Sequence, residues 1–297
     1  MCGLLLLNKP AGITSFGAVA SIRKLTGEKR VGHTGTLDPM ATGVLPVLIG
    51  RATKLCDYVL CADKSYTAEI MLGTVTDTLD ITGKVIAENK VAVTCADIDR
   101  ALAHFTGEQD QVPPMFSAIR KNGVRLYRLA REGKEADIEP RRITVFELNR
   151  ESELLEGSRF RISCRVSKGT YIRSLVRDIG ELLGTGATLT ALCRTATAGF
   201  RLSECVPLDR LDPANINDYI LPAERAAAHL KAVELTPPQA RRFSNGGEID
   251  INRVKSINLS EGEKVRMVCG GLFLGLASFS AEKGALVFEC LIDQGKG

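Results

Sequence analysis

At 297 residues, 44% of them hydrophobic, the chain can bury a sizeable core in one large domain or in two. A net charge of +4 permits contact with nucleic acid without demanding it, and no run of eighteen apolar residues is present to cross a membrane. Nine cysteines, an odd number without Cys-x-x-Cys spacing, and three scattered histidines argue against a zinc site. The expectation is reduced thiols in a cytoplasmic protein that holds no metal.

In chain order, Leu4-Leu5-Leu6-Leu7 reads as a buried strand ending in a turn at residues 8–12. The run is too short for a signal-peptide core, and no basic segment precedes it. Ser15 can cap a helix whose apolar face carries Ala18, Val19, Ile22 and Leu25 and which stops near Gly27. Residues 32–46 hold three glycines, two prolines and the pair His33 and Asp38, too broken for a strand or a long helix. Asp38-Pro39 suits a turn or a helix start, and rigidly held loops are where reactive side chains tend to sit. Val44–Ile49 is apolar. Residues 66–72 alternate, with Tyr66, Ala68, Ile70 and Leu72 on one face, which predicts a strand. Thr94 and Asp97 predict a capped amphipathic helix carrying Ile98, Leu102 and Phe105.

Pro113-Pro114 then introduces a basic segment. Between Arg120 and Arg142 there are eight Arg or Lys residues against four acids. Val124–Glu132 has helical character, and Arg125, Arg128 and Arg131 recur every third position, so they would fan over one side of that helix. Residues 159–166 alternate again, with Phe160, Ile162, Cys164 and Val166 inward. Thr170 is expected to cap a helix whose stripe is Ile172, Leu175, Val176, Ile179, Leu182 and Leu183, with Tyr171 and Arg173 in the first turn, off that stripe. An arginine there opposes the helix dipole, so a carboxylate partner is a fair candidate for what holds it. Ala223–Ala232 reads as a connecting helix or linker. Beyond it, residues 265–276 predict a β-hairpin turning on Gly270-Gly271, followed by a strand near 286–292.

The run Gly32-His33-Thr34-Gly35-Thr36-Leu37-Asp38-Pro39-Met40-Ala41-Thr42-Gly43 closely resembles the catalytic motif of the TruB family of pseudouridine synthases, which modify the T-loop uridine of tRNA. Further ordered matches are Lys9-Pro10 with Thr14-Ser15, the Tyr66 strand, the polar run 73–80, Ser167-Lys168-Gly169-Thr170-Tyr171-Ile172-Arg173, and Leu192-Cys193-Arg194-Thr195. The resemblance covers about residues 4–200. It implies an α+β pseudouridine synthase fold, a mixed and mainly antiparallel sheet flanked by helices, with a small C-terminal PUA-like β-barrel. The expected units are a catalytic domain over 1–231, with an RNA-clamping thumb at about 113–142, and an RNA-binding domain over 232–297. It implies Asp38 as the essential catalytic residue, Arg173 as its partner, and Tyr66, Tyr171 and Leu192 around the flipped base. Asp77 matches an acidic position beside the site, and His33 is assigned to holding displaced nucleotides. Arg120, Lys121, Arg125, Arg128 and Arg131 would meet RNA. Cys193 stands where a second arginine is expected.

Pseudouridine formation breaks the N1–C1′ bond, turns the uracil and joins C5 to C1′, so neither a cofactor nor an energy donor is expected. A carboxylate could attack the sugar or the base, or assist elimination, and a base would take the C5 proton. The target must be flipped out of its stem-loop. The reading is a monomeric tRNA pseudouridine-55 synthase whose partner is the T-arm stem-loop. Its rivals are a relative working in a guide-RNA ribonucleoprotein and a non-catalytic tRNA chaperone. The short N-terminus and the basic insert favour the stand-alone enzyme.

Overall fold

The computed structural model describes residues 1–292 except 61, 62, 118, 122, 135, 157 and 256, and gives the backbone alone for 60, 120, 121 and 131. Its centre is an eleven-stranded sheet. Across it run Val206–Pro207, Gly3–Lys9, Thr42–Ile49, Ala187–Thr197, Lys64–Leu72, Arg159–Val166, Arg141–Arg150 and Gly107–Gln111. Only two of the neighbouring pairs along this path are parallel, Gly3–Lys9 with Val206–Pro207 and Thr42–Ile49 with Ala187–Thr197. The sheet is mixed and mainly antiparallel, as the fold expectation has it.

Sequence pattern follows burial strand by strand. In Gly3–Lys9, Leu5 and Leu7 enter the main core while Leu4 and Leu6 enter a second one on the opposite face. Thr42–Ile49 divides in the same way, with Leu45, Val47 and Ile49 on one side and Val44 and Leu48 on the other. Strands covered on both faces read as unbroken apolar runs. Lys64–Leu72 and Arg159–Val166 bury one face only, leaving Thr67, Arg159 and Arg161 exposed, and they alternate. The helices Ser15–Thr26, Cys95–His104 and Ile172–Leu182 close the main core through Val19 and Ile22, Ile98 and Leu102, and Leu175, Val176 and Ile179.

A separate five-stranded sheet carries the C-terminal part, in the order Lys231–Glu234, Lys264–Cys269, Leu272–Ser280, Ala285–Leu291 and Ile249–Asp250. Gly270 and Gly271 both have positive φ, 57° and 78°, as a tight two-residue hairpin turn requires. Phe273 and Leu276 of this sheet share the second core with Leu4, Leu48 and Phe200. No helix among the described residues is long and apolar enough to cross a membrane.

Four local expectations are corrected. Ser15 is not the cap of its helix. Thr14 accepts the Gly17 N–H instead, which frees Ser15 for the loop described below. Thr170 caps nothing either. Its hydroxyl donates to the Ser167 carbonyl, and Tyr171 takes the cap position in extended conformation without a side-chain cap bond. The helix expected over Val124–Glu132 shrinks to Leu126–Arg131, because Val124–Arg125 pairs with Arg120–Lys121 as a short hairpin. Arg125 therefore precedes the helix. Ala223–Ala232 is no linker: Ala223, Ala226 and Ala227 form a buried 3-10 turn against the second core, where their small side chains permit close backbone packing.

Candidate active site

The loop between Val31–His33 and Thr42–Ile49 is held in place from four directions. Ser15 Oγ accepts from Leu37 N at 2.8 Å and donates to Leu37 O at 3.0 Å. Gly12 N donates to Pro39 O at 2.8 Å. Lys9, wholly buried, donates from Nζ to Pro10 O and Ile13 O at 2.8 Å each and to Pro39 O at 3.3 Å. Arg194, also wholly buried, donates from Nε to Val44 O at 2.7 Å and from Nη2 to Gly35 O at 3.0 Å. One guanidinium thus clasps the loop at both its entrance and its exit. Burial lowers the Lys9 ammonium to about 8, against the opposing pull of nearby Asp38. Burial, and then the charge of Arg194, also hold the His33 imidazole below its ordinary range, so that it is neutral at pH 7.

Gly43 makes the clasp possible. Its φ is +105°, and a Cβ placed there would lie within 3 Å of the Arg194 backbone N, C and O. Gly43→Ala should therefore cost about 3 kcal/mol of unfolding free energy, through backbone strain and overpacking together. Urea denaturation would measure it, and a loss below about 1 kcal/mol would show that the two strands can part.

At the centre Arg173 meets Asp38 side-on, with Nε 2.9 Å from Oδ2 and Nη2 3.1 Å from Oδ1. This planar two-bond pairing is one that a lysine cannot reproduce. Arg173 is only 5% exposed, while the Asp38 side chain keeps 32%. Nη1 of the arginine donates to Thr78 O at 3.1 Å and Nη2 also to Phe116 O at 2.9 Å. Asp80 is the second carboxylate, its Oδ2 3.8 Å from Nε. Asp80 Oδ1 in turn accepts from the Thr78 hydroxyl at 2.9 Å, from Thr82 N at 3.0 Å and from the Thr82 hydroxyl at 2.5 Å. Leu79 between them has φ 64°, a left-handed conformation rare for leucine and a mark of local strain. The unfavourable placing of Arg173 at a helix start is offset by these two carboxylates.

Tyr171 is fixed through its backbone by the buried Gln111, whose Oε1 accepts from Tyr171 N at 2.8 Å and whose Nε2 donates to Tyr171 O at 3.1 Å. Its phenol faces Ser117, and burial raises its pKa. Tyr66 lies opposite Arg194 in the strand register, and Leu192 opposite Ala68. Both are buried in the main core, and Tyr66 carries its phenol against the Arg194 guanidinium. Asp77 is placed differently from Asp38, Arg173 and Asp80. It is exposed, its Oδ1 accepts the Lys84 N–H at 2.8 Å, and with Leu79, Pro113, Pro114 and Arg177 it lines a cleft of about 450 Å³ under the insert. Arg125 and Arg128 are exposed and flank Tyr127, whose phenol they hold below its usual pKa by hydrogen bonding. The side chains of Arg120, Lys121 and Arg131 lie outside the described residues. Sequence reasoning missed Lys9, Arg194, Asp80 and Gln111. Of these, Arg194 carries a legible signal, a charge two residues from Leu192 on the inward face of a strand.

Two solved structures share the fold. One, titled "Structure of H/ACA RNP bound to a substrate RNA containing 2'-deoxyuridine", has a TM-score of 0.75 at 24% identity and covers 98% of this chain and 84% of its own. The other, a Cbf5-Nop10-Gar1 complex, has a TM-score of 0.74 at 25% identity with the same coverage. The model of the TruB family pseudouridylate synthase N-terminal domain matches residues 23–172, and that of the tRNA pseudouridylate synthase B C-terminal domain matches 173–228. The chain is 44% identical over 282 residues to tRNA pseudouridine synthase B of Azoarcus sp. (strain BH72), covering 94% of this chain and 91% of the relative. It is 47% identical over 254 residues to the protein of that name from Clostridium novyi (strain NT), covering 86% and 87%. The chain belongs to the TruB family of pseudouridine synthases.

Proposed function

We propose that this protein isomerises the T-loop uridine at position 55 of tRNA to pseudouridine, acting as a monomer in the cytoplasm. The observation that carries this reading is the Asp38–Arg173 pair: a carboxylate one-third exposed and forked onto a buried guanidinium. Such an aspartate is aimed and accessible without being free to wander, as a group that must meet a sugar or base carbon has to be. The N1–C1′ bond breaks, the uracil turns and C5 bonds to C1′; C5 loses its proton and N1, freed from the sugar, gains one, so the product is an isomer and the balance closes without a co-substrate. Asp38 takes the catalytic role. Tyr66, Tyr171 and Leu192 hold the flipped uracil by stacking and apolar contact, and His33 holds displaced nucleotides as a neutral imidazole. Asp77, which lines the cleft under the insert, is assigned to meeting the RNA substrate beside the site. Residues 1–231 form the catalytic domain and 232–297 a PUA-like RNA-binding domain, with the insert at 113–142 as the clamp.

The test is direct. Purified protein incubated with an unmodified tRNA transcript should place pseudouridine at the T-loop uridine alone, as mapped by chemical probing. No product, or product scattered over other uridines, would overturn the reading. The clamp has its own test. Changing Arg125, Arg128 and Arg131 together to Gln should weaken tRNA binding about tenfold at moderate salt, and should flatten the slope of log affinity against log salt by roughly two to three units. Leu126, the buried residue of this helix, is untouched, so melting should not change. An unchanged salt slope would make these arginines an ordinary solvated face.

A further inference from the structure

Phe16 is the most exposed large apolar side chain among the described residues, at 66%, and nothing in the site above uses it. Its neighbours fix where it stands. Ser15, one residue earlier, points inward and is locked to Leu37 by two hydrogen bonds. Arg23, two turns later, donates to Val31 O at 2.9 Å. The helix Ser15–Thr26 and the strand Val31–His33 therefore lie side by side in opposite directions, with the start of the helix, where Phe16 stands, tied at Ser15 to Leu37, the residue before Asp38. Seven residues make nearly two helical turns, so Arg23 stands on the same side as Phe16. Its guanidinium carbon is 5.6 Å from the centre of the ring. A cation thus backs the ring, which is still two-thirds open to solvent.

We propose that Phe16, backed by Arg23, is a stacking platform for an unpaired base of the RNA substrate beside the flipped uridine. The inference rests on the RNA-modifying reading above. Extruding one base unstacks its neighbours, and each of them has a π-face to cover. A phenyl ring takes any of the four bases, so the platform is tolerant of sequence. The guanidinium behind it polarises the ring and adds positive charge where a phosphate must pass. The rival occupant, the apolar patch of a protein partner, would use the side chain's surface and not its aromaticity. Leucine separates the two, since it keeps the apolar surface and loses the π-face.

The chain contains no tryptophan, so Phe16→Trp introduces a single fluorophore at this position. Adding unmodified tRNA transcript should quench its emission while affinity stays close to that of the unaltered protein. Phe16→Leu should bind the same transcript about five- to tenfold more weakly. It should raise KM by a similar factor, leave kcat at saturating RNA within about twofold, and leave melting unchanged because the side chain is exposed. Emission that ignores saturating tRNA, or a Phe16→Leu variant with unaltered affinity, would overturn the platform. The unaltered protein assayed in parallel keeps the two ideas apart. If it modifies tRNA while Phe16→Leu behaves identically, only the platform falls; if it neither binds nor modifies tRNA, the functional reading falls and the platform with it.

Discussion

Asp38→Asn is expected to lower the rate of pseudouridine formation by on the order of a thousandfold or more, with tRNA affinity changed by less than about fivefold. Asparagine has nearly the shape of aspartate and still offers one oxygen to Arg173, so the loop should keep its path. It has neither the charge nor the second carboxylate oxygen that the role proposed for Asp38 requires. The loop itself does not depend on Asp38, since its carbonyls are held by Lys9 and Arg194 and its Leu37 backbone by Ser15. Arg173 loses one of its acceptors in this variant but keeps Thr78 O, Phe116 O and Asp80 within reach. The cost in stability should stay within about 1–3 kcal/mol. Single-turnover assays at saturating tRNA, with melting recorded alongside, would check both halves. A variant that keeps a tenth of the rate would remove Asp38 from the centre of the chemistry.

Much of the fold was legible because pattern tracks burial closely in these strands. The unbroken apolar runs at Leu4–Leu7 and Val44–Ile49 mark strands covered on both faces, and the alternation at 66–72 and 159–166 marks strands covered on one. What escaped was tertiary. Ala223–Ala232 reads as a connecting helix or linker because alanine carries little hydrophobic signal of its own; Gly3–Lys9, Gly50–Leu55 and Cys56–Leu60, packed against its first turn, make it core. Ser15 and Thr170 both sit where a cap is plausible. Each is displaced by a neighbour, because its hydroxyl satisfies a carbonyl instead of a helix N–H, a distant one at Leu37 for Ser15 and a local one at Ser167 for Thr170.

The candidate site divides in a similar way. Asp38, Tyr171 and Arg173 stand out through their motifs, and the dipole argument already asks for a carboxylate near Arg173. Which carboxylates answer is a matter of loop geometry. Asp77 and Asp80 lie three residues apart in one polar run, and nothing in their order tells which one turns inward. The left-handed backbone at Leu79 decides it, sending Asp80 under Arg173 and leaving Asp77 on the surface of the turn. From the sequence Lys9 is part of a turn, and its role becomes visible only when Pro10, Ile13 and Pro39 converge on it from two segments.

Asp80→Asn is the second large effect to expect, and it separates Asp80 from Asp77. Asp80 is 5% exposed and every acceptor site on Oδ1 is taken, by two hydroxyls and one backbone N–H. The other oxygen, Oδ2, faces the arginine. An asparagine in that place must choose. If its oxygen keeps the Thr82 N–H, its NH₂ points at a guanidinium that has only donors; if it flips, the backbone N–H of Thr82 loses its acceptor. Either choice leaves a buried donor unsatisfied, at a cost of about 1–3 kcal/mol. Much of that should fall on the orientation of Arg173 and hence of Asp38. The rate at saturating tRNA should drop about tenfold to a hundredfold, while affinity barely moves, since Asp80 is hidden from the RNA. Asp77→Asn serves as the control. Its carboxylate caps an exposed turn, so its rate should stay within about threefold of the unaltered protein. Equal losses in the two variants would mean that the whole hairpin, and not the Asp80–Arg173 contact, supports the site. A normal rate in Asp80→Asn would mean that Asp38 alone suffices to aim the arginine.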